Sequence, residues 1–151
     1  MKKITFILFL LFFEANSFAQ DTIPFVLGKN NKIYIKARIN NSEELNFMFD
    51  TGADENAIKK SVLDKKATCK IDGKDKNIGI GGTHEVETSS VNTIQINSNS
   101  KTNQRLVVLD YEDDFEDGII GWPFFENKVV NINYGIKKII IHDQLPEIPK
   151  E

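Results

Sequence analysis

The sequence contains a single cysteine, Cys69, among 151 residues, so no disulfide can close within the chain and its core must hold it together. Histidine is almost as scarce. His84 and His142 stand in no metal-ligand spacing with each other or with Cys69, which leaves zinc hydrolysis without a ligand set. Neither sign of charge dominates: 19 Lys and Arg face 22 Asp and Glu, and the resulting net charge of −3 argues against a nucleic-acid partner. Internal repeats, low-complexity linkers and domain boundaries are missing, and nine glycines with four prolines are too few for a collagen-like chain. The apolar run 4–13 is shorter than the roughly 20 residues a helix needs to span a bilayer. What is present, 40% hydrophobic and 27% charged residues, is the composition of a globular protein with one core.

Lys2 and Lys3 precede that apolar run, and Ser17-Phe18-Ala19 offers small residues at the two positions a signal peptidase reads. The pattern predicts an export signal over 1–19 with cleavage after Ala19, and no cysteine lies beside that point to direct lipid attachment. Removal leaves 132 of the 151 residues, 20–151, as one domain carrying 17 basic and 21 acidic residues. The expected location is periplasmic or secreted, with no stable membrane anchor once the signal is gone.

Period-2 alternation and β-branched residues predict strands over 32–39, 45–49, 86–96, 106–109, 129–132 and 137–141, an all-β chain. Asn40-Asn41-Ser42 and Asn133-Tyr134-Gly135 supply hairpin turns, because Asn and Gly tolerate the left-handed backbone such turns need. A helix is expected over 56–66, where Ile58, Val62 and Leu63 share a face, and a short helical turn opens at Trp122-Pro123. The polar stretch 97–103 reads as an exposed loop. Tyr34, Phe47, Phe49, Trp122, Phe124 and Phe125 read as core.

Residues 46–54 form an apolar strand that runs directly into Asp50-Thr51-Gly52-Ala53-Asp54. Gly52 is expected to let the backbone turn sharply with no Cβ in the way, and the Thr51 hydroxyl can donate or accept within the loop. Such a loop holds a carboxylate rigidly at a strand end. Alone, Asp-Thr-Gly is an ordinary turn after a strand. Here two glycine-bearing blocks accompany it, Ile78-Gly79-Ile80-Gly81-Gly82 and Asp117-Gly118-Ile119-Ile120-Gly121.

In order and spacing the three blocks resemble those of the retropepsins, the single-lobe aspartic proteases of retroviruses and their bacterial relatives, over about residues 33–141. The resemblance implies a closed, barrel-like all-β lobe with a flap hairpin and one or two short helices. It implies that Asp50 is the catalytic general acid/base and that Thr51, Gly52 and Ala53 shape its loop. It places Asp54, Gly79, Ile80, Gly81 and Gly82 against the substrate, the last four as the tip of the flap. No metal or organic cofactor is implied.

A lone carboxylate is a poor acid and a poor base for splitting an amide, whereas two that share a site repel each other and keep one proton between them. One then activates water while the other donates to the carbonyl oxygen. The mature chain holds one apolar-Asp-[Ser/Thr]-Gly, so the second carboxylate must come from a second copy. The resemblance therefore implies a homodimer with Asp50 from each protomer face to face, Thr51 bonding across the interface, and a peptide or protein substrate.

The likeness has departures. Retroviral enzymes often carry an Arg after the apolar-apolar-Gly block, paired with the acid just after the catalytic loop; Trp122 stands there in this chain, so Asp54 loses that counter-charge. The prolines of 145–149 also resist the terminal strand pairing of the viral dimers. The acidic run 112–117 fails as a calcium loop because Phe115 stands where an oxygen ligand is needed. His84 reads as an exposed flap residue, His142 as a strand-end residue and Cys69 as a small apolar one. Two rivals remain: a lobe that grips a peptide or regulates without cutting, and a small barrel that carries an apolar ligand.

Overall fold

The computed structural model describes residues 21–79, 82–111 and 115–146; the expected export signal 1–19 and its cleavage point lie outside them. Among the described residues the chain forms eleven strands: β1 (Asp21–Pro24), β2 (Val26–Leu27), β3 (Ile33–Ile39), β4 (Leu45–Phe49), β5 (Asn56–Lys59), β6 (Gly73–Gly79), β7 (Gly82–Ile96), β8 (Asn99–Leu109), β9 (Gly118–Ile120), β10 (Val129–Asn133) and β11 (Lys138–His142). Helical structure among the described residues is limited to one turn at Lys60–Leu63 and two short 3-10 pieces, Lys29–Asn31 and Trp122–Phe125.

Eight strands share one sheet in the order β2-β3-β4-β9-β5-β8-β7-β6, and β3 pairs a second time with β7 at Arg38↔Gln95 and Ile39↔Ile94. That extra pairing closes β3, β4, β9, β5, β8 and β7 into a barrel, with β2 and β6 attached to its rim. The chain is all-β, as its alternation predicts. A separate antiparallel sheet, β1-β11-β10, adds Ile23 and Ile139 to the same core.

Alternation sets the faces. Along β3 the side chains of Ile35, Ala37 and Ile39 turn inward while Lys36 and Arg38 stay exposed. Phe47, Leu45, Ile58, Ile94, Ile96, Leu106 and Ile120 are fully buried, each contributing about 1.5–3 kcal/mol relative to exposure. Phe49, Phe124 and Phe125 meet edge to face, with ring centroids 5.2 Å and 5.1 Å apart for the two pairs that Phe125 makes.

The Asn40 turn is pinned from both sides. Its φ of 53° is left-handed, which Asn tolerates, and Ile39 N–H donates to Ser42 Oγ at 2.9 Å. Asn40 Oδ1 accepts the Thr93 N–H at 2.9 Å while its Nδ2 donates to Asn92 Oδ1 at 3.0 Å, so one turn residue fastens the β3–β4 hairpin to β7 at the barrel seam.

Three expectations need correction. The stretch 56–66 is not one helix: 56–59 is strand β5, paired with β8 on one edge and β9 on the other and buried at all four positions, and only Lys60–Leu63 turns helical. Ile58, Val62 and Leu63 share helical spacing, but pairing on both edges decides the conformation. The stretch 97–103 is not a loop: Asn97-Ser98 is the turn, with Asn97 at φ 53°, and β8 begins at Asn99 opposite Ile96. Residues 99–103 are half-buried or exposed, and the apolar cover at this end comes from Ile94 and Ile96 on the paired strand β7. Trp122 is not core: its side chain is 47% exposed, unlike the other five aromatic residues assigned there.

Candidate active site

Strands β4 and β5 are separated in sequence by residues 50–55 and in space by β9, which runs parallel to β4 and antiparallel to β5. The loop must therefore cross the end of β9. That crossing is close: a Cβ on Gly121 would lie 2.5 Å from the carbonyl oxygens of both Ala53 and Glu55, and one on Gly118 would lie 2.3 Å from the Ala57 carbonyl. Only glycine fits either position. The apolar-apolar-Gly block thus lies beneath the Asp50 loop.

Asp50 N–H donates to the Ile120 carbonyl at 3.0 Å, and Trp122 N–H donates to the Ala53 carbonyl at 2.9 Å. The loop is tied at both ends to the block below it. Inside the loop the Gly52 N–H donates to Asp50 Oδ1 at 2.8 Å, and Ala53 N–H reaches the Asp50 carbonyl at 3.3 Å. Asp50 and Ala53 are half-buried, whereas Thr51, Gly52 and Asp54 are exposed. The carboxylate is held by a backbone donor and still reachable from outside. Gly52 does not adopt a left-handed φ; a Cβ there would lie 3.3 Å from Asp50 Oδ1, so glycine serves the close approach of carboxylate to amide.

Asn56, which no motif singled out, fixes the loop's exit. It is fully buried, its Oδ1 accepts the Gly121 N–H at 3.0 Å and its Nδ2 donates to Gln104 Oε1 at 3.3 Å. The hint available in sequence was a polar residue opening a run of apolar neighbours, Ala57 and Ile58.

The glycine-rich block is a hairpin. Strands β6 and β7 pair from Gly73↔Thr88 out to Gly79↔Gly82, with Gly82 at φ +102°, a conformation suited to glycine; Ile80 and Gly81 lie outside the described residues. Asp54 and Glu55 on the loop and Asp75 and Ile78 on the hairpin line one recess of about 150 Å³, so the structure brings the hairpin arm over the loop. Ile78 is 80% exposed there, an apolar side chain open to whatever enters. On another side Asp50 and Thr51 border an open hollow of about 330 Å³ with Ile33, Met48 and Tyr134.

Arg105 on β8 also borders the recess. Its guanidinium bonds Glu55 through one nitrogen and Asp75 Oδ2 through the other, the latter at 2.7 Å. The cation that the sequence lacks beside Trp122 thus arrives from β8, and it meets Glu55; no ion pair to Asp54 occurs among the described residues. Burial pushes the Glu55 carboxyl above its ordinary value, Arg105 pulls it down, and the neighbouring charges of Asp54 and Asp75 push it further up.

Other candidates stay apart from this site. Cys69 is half-buried against the core, and burial raises its thiol to about 11. His84 sits exposed on β7 and His142 ends β11, as expected. Residues 112–114 of the acidic run lie outside the described residues, and among those described no cluster of His, Cys, Asp and Glu is arranged to hold a metal ion. No described helix is long and apolar enough to cross a membrane.

A family model described as aspartyl protease matches residues 35–124, a span that contains the Asp50 loop, the hairpin and the 118–121 block. Among solved structures the chain is similar to a retropepsin-like aspartic protease from Rickettsia conorii, at 19% identity and a TM-score of 0.59 over 80% of this chain and 90% of that one. It is also similar to the EIAV protease complexed with the inhibitor HBY-793, at 20% identity and a TM-score of 0.52 over 67% of this chain and 91% of that one. At these identities the likeness is one of fold. No curated protein gives a significant match.

Proposed function

The chain belongs to the aspartyl protease family, an aspartic peptidase with the retropepsin-like fold, and from that premise we propose that two copies meet about a twofold axis and cut peptide bonds between their Asp50 carboxylates. The observation that carries this reading is the bond from Gly52 N–H to Asp50 Oδ1 at 2.8 Å, in a loop clamped onto 118–122 and open to solvent. A carboxylate held so firmly, yet reachable from solvent, is built to meet a partner.

In this reading the two carboxylates share one proton, the general property of aspartic protease dyads. The ionised member takes a proton from a water as its oxygen bonds to the scissile carbonyl carbon, and the protonated member gives its proton to the carbonyl oxygen. As the tetrahedral adduct collapses, the carboxyl that took the water's proton gives it to the amide nitrogen, the C–N bond breaks, and an adduct hydroxyl returns a proton to the other carboxylate. Thr51 and Ala53 keep the loop in place. The hairpin carrying Gly79 to Gly82 closes over an extended peptide, pairing with its backbone, while Asp54 faces the bound chain. Trp122, exposed beside the loop, would lose its solvent contact to the second copy. Cleavage is fastest at mildly acidic pH, where the pair holds a single proton; a rate that climbs steadily through pH 9 would contradict it. The protein acts after export, in the periplasm or outside the cell.

One observation favours a second reading. Strand β1 pairs with β11 inside the same chain, so a monomer that binds peptides without cutting them is the competing account. A peptide-library digest by the mature protein beside Asp50→Asn, read by mass spectrometry, separates the two. Cuts made by the wild type and lost in the variant support the peptidase dimer. Cuts that survive the substitution, or a protein that cuts nothing and sediments as a single protomer, overturn it.

A further inference from the structure

We propose that Arg105 is a positioning residue that clamps the arm of the hairpin to the floor of the cleft, joining Asp75 on β6 to Glu55 at the exit of the Asp50 loop. The proposal rests on the functional reading above in taking the hairpin to cover the substrate.

Backbone pairing leaves this hairpin weakly attached to the barrel. Strand β6 is the last in its sheet and pairs with β7 alone. Strand β7 in turn meets β8 out to Glu87↔Val108, so the rung Asp75↔Val86 is the first one beyond that support. From there outward the two arms hold each other and nothing in the ladder holds them down. Arg105 acts at that rung. One nitrogen of its guanidinium bonds Asp75 Oδ2 at 2.7 Å, and the Lys76 N–H donates to Asp75 Oδ1 at 2.7 Å, fixing the carboxylate that receives it.

The other end of the clamp lies on the catalytic side. Glu55 follows Asp54 and precedes Asn56, whose side chain holds Gly121, and the Glu55 carbonyl packs against Gly121 itself. Movement of Asp75 is thereby coupled through Arg105 to the loop that carries Asp50. A planar guanidinium can hold two carboxylates 20 residues apart in sequence, Glu55 and Asp75, with separate nitrogens, whereas a lysine ammonium on its flexible stem lacks that fork. The Arg105 side chain is 32% exposed and Asp75 is 61% exposed, so the clamp is modest in strength and screened by salt, as a part that must release and re-form requires.

The test compares wild type with Arg105→Met, Arg105→Lys and Asp75→Asn. A nitroxide on Thr83→Cys, exposed on β7, in a Cys69→Ser background reports motion of the arm without any need for cleavage. All three variants are expected to show a more mobile label, and 0.5 M salt is expected to raise mobility in the wild type only. In peptide cleavage KM is expected to rise about threefold to tenfold, with kcat within about twofold. Because Asp75 is exposed, Asp75→Asn keeps the test alive if an Arg105 variant fails to fold. Unchanged label mobility in Arg105→Met and Asp75→Asn, or a loss confined to kcat, overturns the clamp. If the wild type cuts nothing, the peptidase reading falls while the label still decides the clamp.

Discussion

Asn56 Oδ1 accepts the backbone N–H of Gly121 at 3.0 Å, and both residues are buried. The bond joins the first residue of β5 to the residue that follows β9, across the point where the Asp50 loop comes down. Each partner needs the other. Gly121 cannot carry a side chain because two loop carbonyls lie 2.5 Å from where its Cβ would be, and its amide would have no acceptor without Asn56. The loop geometry at Asp50 therefore depends on a side chain six residues downstream.

Asn56→Ala leaves that amide unsatisfied in a dry site, which costs about 1–3 kcal/mol. Urea unfolding is expected to show a lower midpoint with an unchanged slope. Peptide cleavage is expected to fall by more than the folded fraction explains, because the loop shifts in molecules that remain folded. A variant as stable as the wild type would remove Asn56 from the account.

Gly121→Ala forces a methyl group against the Ala53 and Glu55 carbonyls, and overpacking of this kind costs about 1–3 kcal/mol. The strain falls on the 53–55 backbone, which directly follows Gly52, whose N–H holds Asp50. Activity is expected to drop at least tenfold at a temperature where circular dichroism still reads a folded protein. Full activity in the alanine variant would mean that the loop tolerates displacement.

The parts of this site that could be read in sequence are those where physics leaves one residue choice. Glycine at 118 and 121 answers to carbonyls and rings too near for a Cβ, and Asp50-Thr51-Gly52 places a carboxylate within reach of an amide two residues on. Alternation identified the barrel strands β3 and β4 because each has one wet face. It failed at 56–59, where both edges of the strand are paired and all four side chains are buried, so period 2 disappears. It failed again at 97–103, where the paired strand β7 supplies the buried apolar residues, Ile94 and Ile96, and β8 itself carries only polar side chains over 99–103. Arg105 left no local trace, since its partners lie 50 and 30 residues away and only the barrel brings them together.

Glu55 ties stability to pH. Burial raises its folded carboxyl value above the ordinary 4.5, so in the window from there upward the folded state binds more protons than the unfolded one. Its contribution is fully present below the ordinary glutamate value and is lost as pH rises through the raised one. Unfolding free energy of wild type relative to Glu55→Gln is expected to fall across that window and to level off above it, as urea titrations between pH 4 and pH 8 can read. A difference that instead grows with pH would mean that the Arg105 attraction outweighs burial.

The most direct measurement mixes subunits. Wild type and Asp50→Asn are unfolded together, refolded at fixed total concentration and assayed on one peptide substrate. If each active centre needs Asp50 from two copies, an equal mixture retains about a quarter of the activity of pure wild type, since only pairs of wild-type chains cut. Retention of about half, in step with the wild-type fraction, would mean that each chain works alone and would contradict the paired-carboxylate mechanism.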